Sequence, residues 1–78
     1  MNKIRRSEIE SIISELEDLS TRLEEVKEQE SDAFENLPEG LQWSERGELM
    51  EQNASDLDSA CDNLSSLISD LNDILDNN

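Results

Sequence analysis

From Ile9 onward, apolar side chains recur at alternating steps of three and four: Ile9, Ile12, Leu16, Leu19, Leu23 and Val26, then Glu30 as a break, then Ala33 and Leu37. This heptad register predicts a helix over about residues 7–36, ~45 Å long at 1.5 Å per residue, with Lys3 to Arg6 left open as an extension. Ile13 and Phe34 stand one position beyond the seam and widen it. A second run follows Trp43, with Met50, Asn53, Leu57, Ala60, Leu64, Leu67, Leu71 and Ile74 on the seam and Ala54, Cys61, Ile68 and Leu75 beside it. It predicts a helix over about residues 44–76, ~50 Å long. Three positions of every seven are apolar, a stripe that suits a bundle better than a two-stranded coiled coil.

Residues 37–44 form the corner between the helices, and the only proline and the only tryptophan lie there, with both glycines in or just after it. Pro38 disfavours helical geometry at Leu37 and can itself open a short helical turn. Ser44 is the expected N-cap of the second helix, with Glu45 and Glu48 near its positive end. Leu37, Leu41 and Trp43 are expected to close the tip hydrophobically.

The fold class this predicts is all-α: an antiparallel two-helix hairpin over residues 1–78, a single domain. Facing residue numbers should sum to about eighty, which brings Lys3, Arg5 and Arg6 to Asp73 and Asp76. Each cluster opposes its own helix dipole, so their meeting favours the antiparallel hairpin. Two helices cannot cover two such wide stripes, so a homodimer forming an antiparallel four-helix bundle is expected, packed most firmly at the open end where the large side chains crowd.

Composition narrows the chemistry. The chain has 78 residues, 21 acidic against 6 basic, a net charge of −15, no histidine and one cysteine. The usual zinc, haem and iron–sulfur ligand sets and every nucleophile–histidine dyad are missing, so the sequence predicts no enzyme, no metal and no cofactor. No apolar segment of secretory type follows Lys3, Arg5 and Arg6, and none approaches membrane-spanning length, so a cytoplasmic protein without membrane contact is expected. So acidic a chain is not expected to bind nucleic acid directly, because phosphates need Lys and Arg.

The second helix is coated with Asp, Ser and Asn, weak helix formers, and has no Lys or Arg after Arg46. Two chains on a rod of ~50 Å would carry one negative charge per ~1.7 Å, the axial density of duplex DNA. A protein with a basic nucleic-acid-binding groove could accept such a rod in place of its substrate. The candidate contact residues are Asp56, Asp58, Asp62, Asp70 and Asp73 of the second helix, with Glu17, Glu24 and Glu28 of the first. Against this stands the plain reading of an acidic exterior as solubilising.

Other residues carry similar pairs of readings. Cys61 is a small core residue or a redox contact at a dimer seam, and Asn53 a register-setting polar residue or a ligand group. Asp56, Asp58 and Asp62 resemble a calcium loop only in part, since its glycine and terminal glutamate are missing. If the charge only solubilises, the chain is an adaptor that meets its partner through Leu37, Leu41, Trp43 and Arg46 at the corner.

The segment Asn36-Leu37-Pro38-Glu39-Gly40-Leu41-Gln42-Trp43-Ser44-Glu45-Arg46-Gly47-Glu48 resembles the corner of small acidic helical proteins of phages, prophages and plasmids, which have the form N-L-P-E-x-L-Q-x-S-E-R-G-E. Gly40 stands where Ser is commoner, and the Asp/Ser/Asn coat of the second helix departs from the Glu-rich form. The resemblance implies a mobile-element setting, where small acidic proteins often inhibit nucleic-acid enzymes or defence systems, and supplies no site residues.

Overall fold

The computed structural model describes all residues, Met1–Asn78, and the chain is all-α. Helix α1 spans Lys3–Glu35, α2 is the single turn Glu39–Gln42, and α3 spans Glu45–Asp76. Helix α1 begins earlier than its apolar pattern suggests because Asn2 caps it: the Asn2 side chain accepts from the Arg5 N–H at 2.8 Å. The basic first turn, unfavourable to the dipole, obscures that start in the sequence.

Helices α1 and α3 pack side by side in opposite directions, so that Arg6 reaches Leu75, Lys27 reaches Asp58 and Met1 reaches Asn78. The Cα extents are 58 × 16 × 13 Å and the radius of gyration is 17.6 Å, against ~11.5 Å for a compact domain of this length. The molecule is a rod only two helices thick.

Each long helix offers three columns that carry apolar residues, one of those in α1 only at Ile13 and Phe34, and the pairing covers two of them. The central columns, Ile9/Leu16/Leu23 in α1 and Met50/Leu57/Leu64/Leu71 in α3, turn inward as the heptads predict. Beside them the structure selects Ile13 and Phe34 in α1 and Ala54, Cys61, Ile68 and Leu75 in α3; Ile13, Cys61 and Leu75 are its only buried apolar residues. The other flanking column, expected on the seam, is left largely outside: Ile12, Leu19 and Val26 are each 48% exposed, and Ala33, Asn53, Leu67 and Ile74 are exposed too. Asn53 therefore sets no register within the chain. In α3 the column chosen is wholly apolar and the one left out contains Asn53, whereas α1 turns the wholly apolar Ile12/Leu19/Val26/Ala33 column outward and packs one that holds Ser20 and Lys27.

The corner is held by hydrogen bonds rather than by an apolar plug. Gln42 Nε2 donates to the carbonyls of Phe34, Glu35 and Leu37 at 3.2–3.4 Å, satisfying acceptors that the end of α1 leaves open. The Pro38 carbonyl accepts from the N–H groups of Leu41 and Gln42, which closes α2. Ser44 caps α3 as expected: its Oγ accepts from the Gly47 N–H and donates to the Leu41 carbonyl. Gly47 is buried against α2, where a Cβ would overlap the carbonyl oxygens of Leu41 and Gln42. Trp43 is 78% exposed and Leu41 51%, so the expected closure of the tip fails for both, and Leu37 alone is half-buried. One turn of helix between Pro38 and Ser44 is too short to fold either side chain back onto the seam.

At the open end the expected charge contacts are replaced by a cap. Arg6 Nη1 donates to the Leu75 carbonyl at 2.8 Å, placing a cation at the negative end of α3, and Arg6 Nε pairs with Glu10 at 3.6 Å. Neither Asp73 nor Asp76 forms an ion pair, and Lys3 and Arg5 are exposed. Both aspartates lie off the seam column that carries Leu75, out of line with Arg6.

Two substitutions test the corner. Gly47→Ala should lower stability by ~1–3 kcal/mol, a loss of roughly 5–20 °C in melting temperature, because the added methyl group meets fixed backbone. Gly40→Ala should not destabilise, since a Cβ there has nothing within 4 Å. Thermal melts followed by circular dichroism compare them.

Candidate acidic interface

The two sides of the rod differ. On one side, Lys27, Glu28, Ser31 and Asp32 of α1 line a groove with Ala54, Ser55 and Asp58 of α3. On the other, Leu19, Arg22, Leu23, Glu25, Val26 and Gln29 line one with Leu64. Continuing the helical repeat from the first groove places Glu10, Glu17, Glu24 and Glu28 along α1 and Glu51, Asp58 and Asp62 along α3. This polar side is a broad acidic face drawn from both helices.

Of the eight predicted contact carboxylates, Glu17, Glu24, Glu28, Asp58 and Asp62 share this face. Asp56 and Asp70 fall instead on the outer rim of the other, apolar side, and Asp73 lies on the back of α3. All eight are exposed. Between the helices the only ion pair is Lys27–Asp58 at 3.3 Å, and, apart from Glu10, which Arg6 meets within α1, the remaining acids of the face have no ion-pair partner.

Sequence reasoning overlooked Lys27. It lies in the seam column that also holds Ile13, Ser20 and Phe34, so its four-carbon stem covers seam while the ammonium reaches out to Asp58. The available signal was weak: Lys27 falls midway between acids of α1 and shares a column with Ile13 and Phe34, but Ser20 interrupts that column.

The corner residues of the adaptor reading do not converge. Trp43 and Leu41 are exposed, Arg46 is exposed without an ion-pair partner, and Leu37 turns partly toward the seam. Cys61 is a free, buried thiol. No three His, Cys, Asp or Glu side chains converge as a metal site would need, and no helix is long and apolar enough to cross a membrane. Comparison with protein-family models, curated proteins and solved structures returns no match.

The hydrogen bond to Asp58 raises the Lys27 pKa above its ordinary value, with burial acting against it. A pKa raised by folding means stability that is fully present below the ordinary lysine value of ~10.4 and lost as pH climbs through the raised one. Lys27→Met should therefore differ most from the parent at neutral pH, and their melting temperatures should draw together on the alkaline side of that range. Parallel melts at neutral and strongly alkaline pH read the gap.

Proposed function

We propose that this chain is a non-enzymatic acidic interaction module. It is a helical hairpin that pairs with a second copy as an antiparallel four-helix bundle and occupies a basic, nucleic-acid-binding surface of another protein in place of nucleic acid. The observation that carries the reading is a row of exposed, uncompensated carboxylates along a rod of 58 Å. Two chains of net charge −15 on that length give one charge per ~1.9 Å, beside one per ~1.7 Å for duplex DNA. Because the acids project from packed helices rather than a disordered tail, a partner gains their attraction without having to order the backbone that carries them. The setting is the cytoplasm of a cell carrying a phage or plasmid, where an inhibitor of this kind blocks its target by occupancy and needs no cofactor or metal.

A second reading rests on Trp43. A tryptophan 78% exposed beside a Leu41 51% exposed gives the tip an amphipathic anchor of the kind interfaces favour. On that reading the hairpin is a structural adaptor, and Leu37, Leu41, Trp43 and Arg46 meet the partner.

The two readings separate by mutation. A variant combining Glu17→Gln, Glu24→Gln, Glu28→Gln and Asp62→Asn leaves the Lys27–Asp58 pair in place. It should lose at least ten-fold in affinity for a partner captured at low salt, and binding of the parent should fall steeply as salt rises. Duplex DNA should compete for the same partner. Trp43→Ala should leave capture unchanged under charge mimicry and abolish it under the adaptor reading. A neutralised variant with parental helicity and parental affinity would sink mimicry.

A further inference from the structure

We infer that the apolar side of the rod, built on Ile12, Leu19 and Val26 of α1 and Ala60, Leu67 and Ile74 of α3, is the surface on which a second copy of this chain docks. The two copies lie with their tips at opposite ends, α1 against α1 and α3 against α3. This deepens the proposed function, since it rests on the reading that the chain pairs with itself and names the face that does so.

Placement comes first. Because the groove with Lys27 and Ala54 opens on the polar side, the column beyond each central column must open on the opposite side in both helices. The groove formed by Leu19, Leu23, Val26 and Leu64 shows this directly. Six large or small apolar side chains at seven-residue spacing thus share one face, and all but the half-buried Ala60 are exposed.

Area supports closure by another surface. A folded monomer of 8.9 kDa exposes ~4,800 Å² by the usual scaling with mass, and this chain exposes 5867 Å². The excess, ~1,000 Å², matches the ~800 Å² that each partner loses in an interface of standard size.

Charge identifies the occupant. A chain of net charge −15 should repel its own copy over most of its surface. On this side, however, Arg5, Arg22 and Arg46 stand among Glu8, Glu15, Glu25, Asp56 and Asp70, a far smaller imbalance than over the rest of the chain. Half of the 6 basic residues of the chain are concentrated where a copy would approach. Orientation follows from the same charges. Leu19 is the midpoint of its column, and Arg22 and Glu15 flank it on the outer rim at nearly equal distances, so a two-fold axis at Leu19 brings each Arg22 to the partner's Glu15. With both tips at one end, α1 would instead face α3, and Glu15 would come between the partner's Asn63 and the partner's Asp70, with no cation to meet. The opposed arrangement also sets Ile12 against the partner's Val26, and Ile74 at the open end against the partner's Asn53, a small residue near the corner.

The test is cysteine cross-linking in the full chain, with Cys61→Ala as background so that the native thiol is silent. Under mild oxidation Leu19→Cys should form disulfide-linked dimers at least ten-fold faster than Glu17→Cys, which sits on the polar face. Sedimentation equilibrium of the parent should give a dimer. A monomer at ~100 μM, in the range where a stable dimer persists, would overturn the inference, as would a dimer in which Glu17→Cys cross-links as fast as Leu19→Cys. Efficient linkage only in a mixture of Leu19→Cys with Ala60→Cys chains would overturn the opposed orientation. Salt-sensitive binding of a basic partner by a monomeric chain would refute this interface and leave the charge-mimic reading standing.

Discussion

A pair of antiparallel helices has a single seam, and a seam takes two positions of every seven from each helix. The second long helix carries apolar residues at three, save for Asn53, and the first does so only at Ile13 and Phe34, where Ser20 and Lys27 interrupt the column. Two columns are satisfied by intramolecular packing, and the third, through Ile12, Leu19 and Val26 on α1 and Leu67 and Ile74 on α3, faces outward. With only Ile13, Cys61 and Leu75 buried as apolar residues, the isolated rod has an unusually thin core for its length. Burying that third column is the largest hydrophobic gain still open to the molecule.

The same geometry sorts the charge. The side opposite the open apolar column is lined by acids from both helices, and of the arginines only Arg6, at the open end, meets one of them, Glu10, while Arg5, Arg22 and Arg46 sit on the apolar side. The rod is thus amphipathic at the level of the helix pair as well as of each helix. One side is compatible with self-association and the other is strongly negative. Coating α3 with short Asp, Asn and Ser side chains lowers intrinsic helix propensity, and packing along the seam compensates.

Much of this was legible in the sequence. The 3–4 spacing gives both long helices, and Ser44 followed by Glu45 and Glu48 marks the start of α3. What the spacing misjudged is which two of three columns pair: it places Ile12, Leu19 and Val26 on the seam, and the structure packs the Ile13 column instead, because the choice depends on the partner helix and not on periodicity within one. Contacts that reach across the chain were also invisible: Gln42 bonding the carbonyls at the end of α1, Arg6 capping Leu75, and Gly47 giving room for two carbonyls. These depend on tertiary placement and leave no periodic trace. Trp43 misled for a related reason: a large aromatic in a corner invites burial, yet the single turn of α2 holds it out. The acidic face itself was half visible, since composition announced the carboxylates but only the seam decides that Glu17 and Asp58 lie together while Asp73 does not.

The exposed indole has a practical side. The chain has one tryptophan and no tyrosine, so its near-ultraviolet absorbance and emission come almost wholly from a residue already in water. Its fluorescence will scarcely register denaturation, and the progress of unfolding has to be followed by a backbone signal. Any blue shift of that emission in a mixture would instead announce that something had covered the end of the rod, making residue 43 a native reporter of end-on encounters that needs no dye.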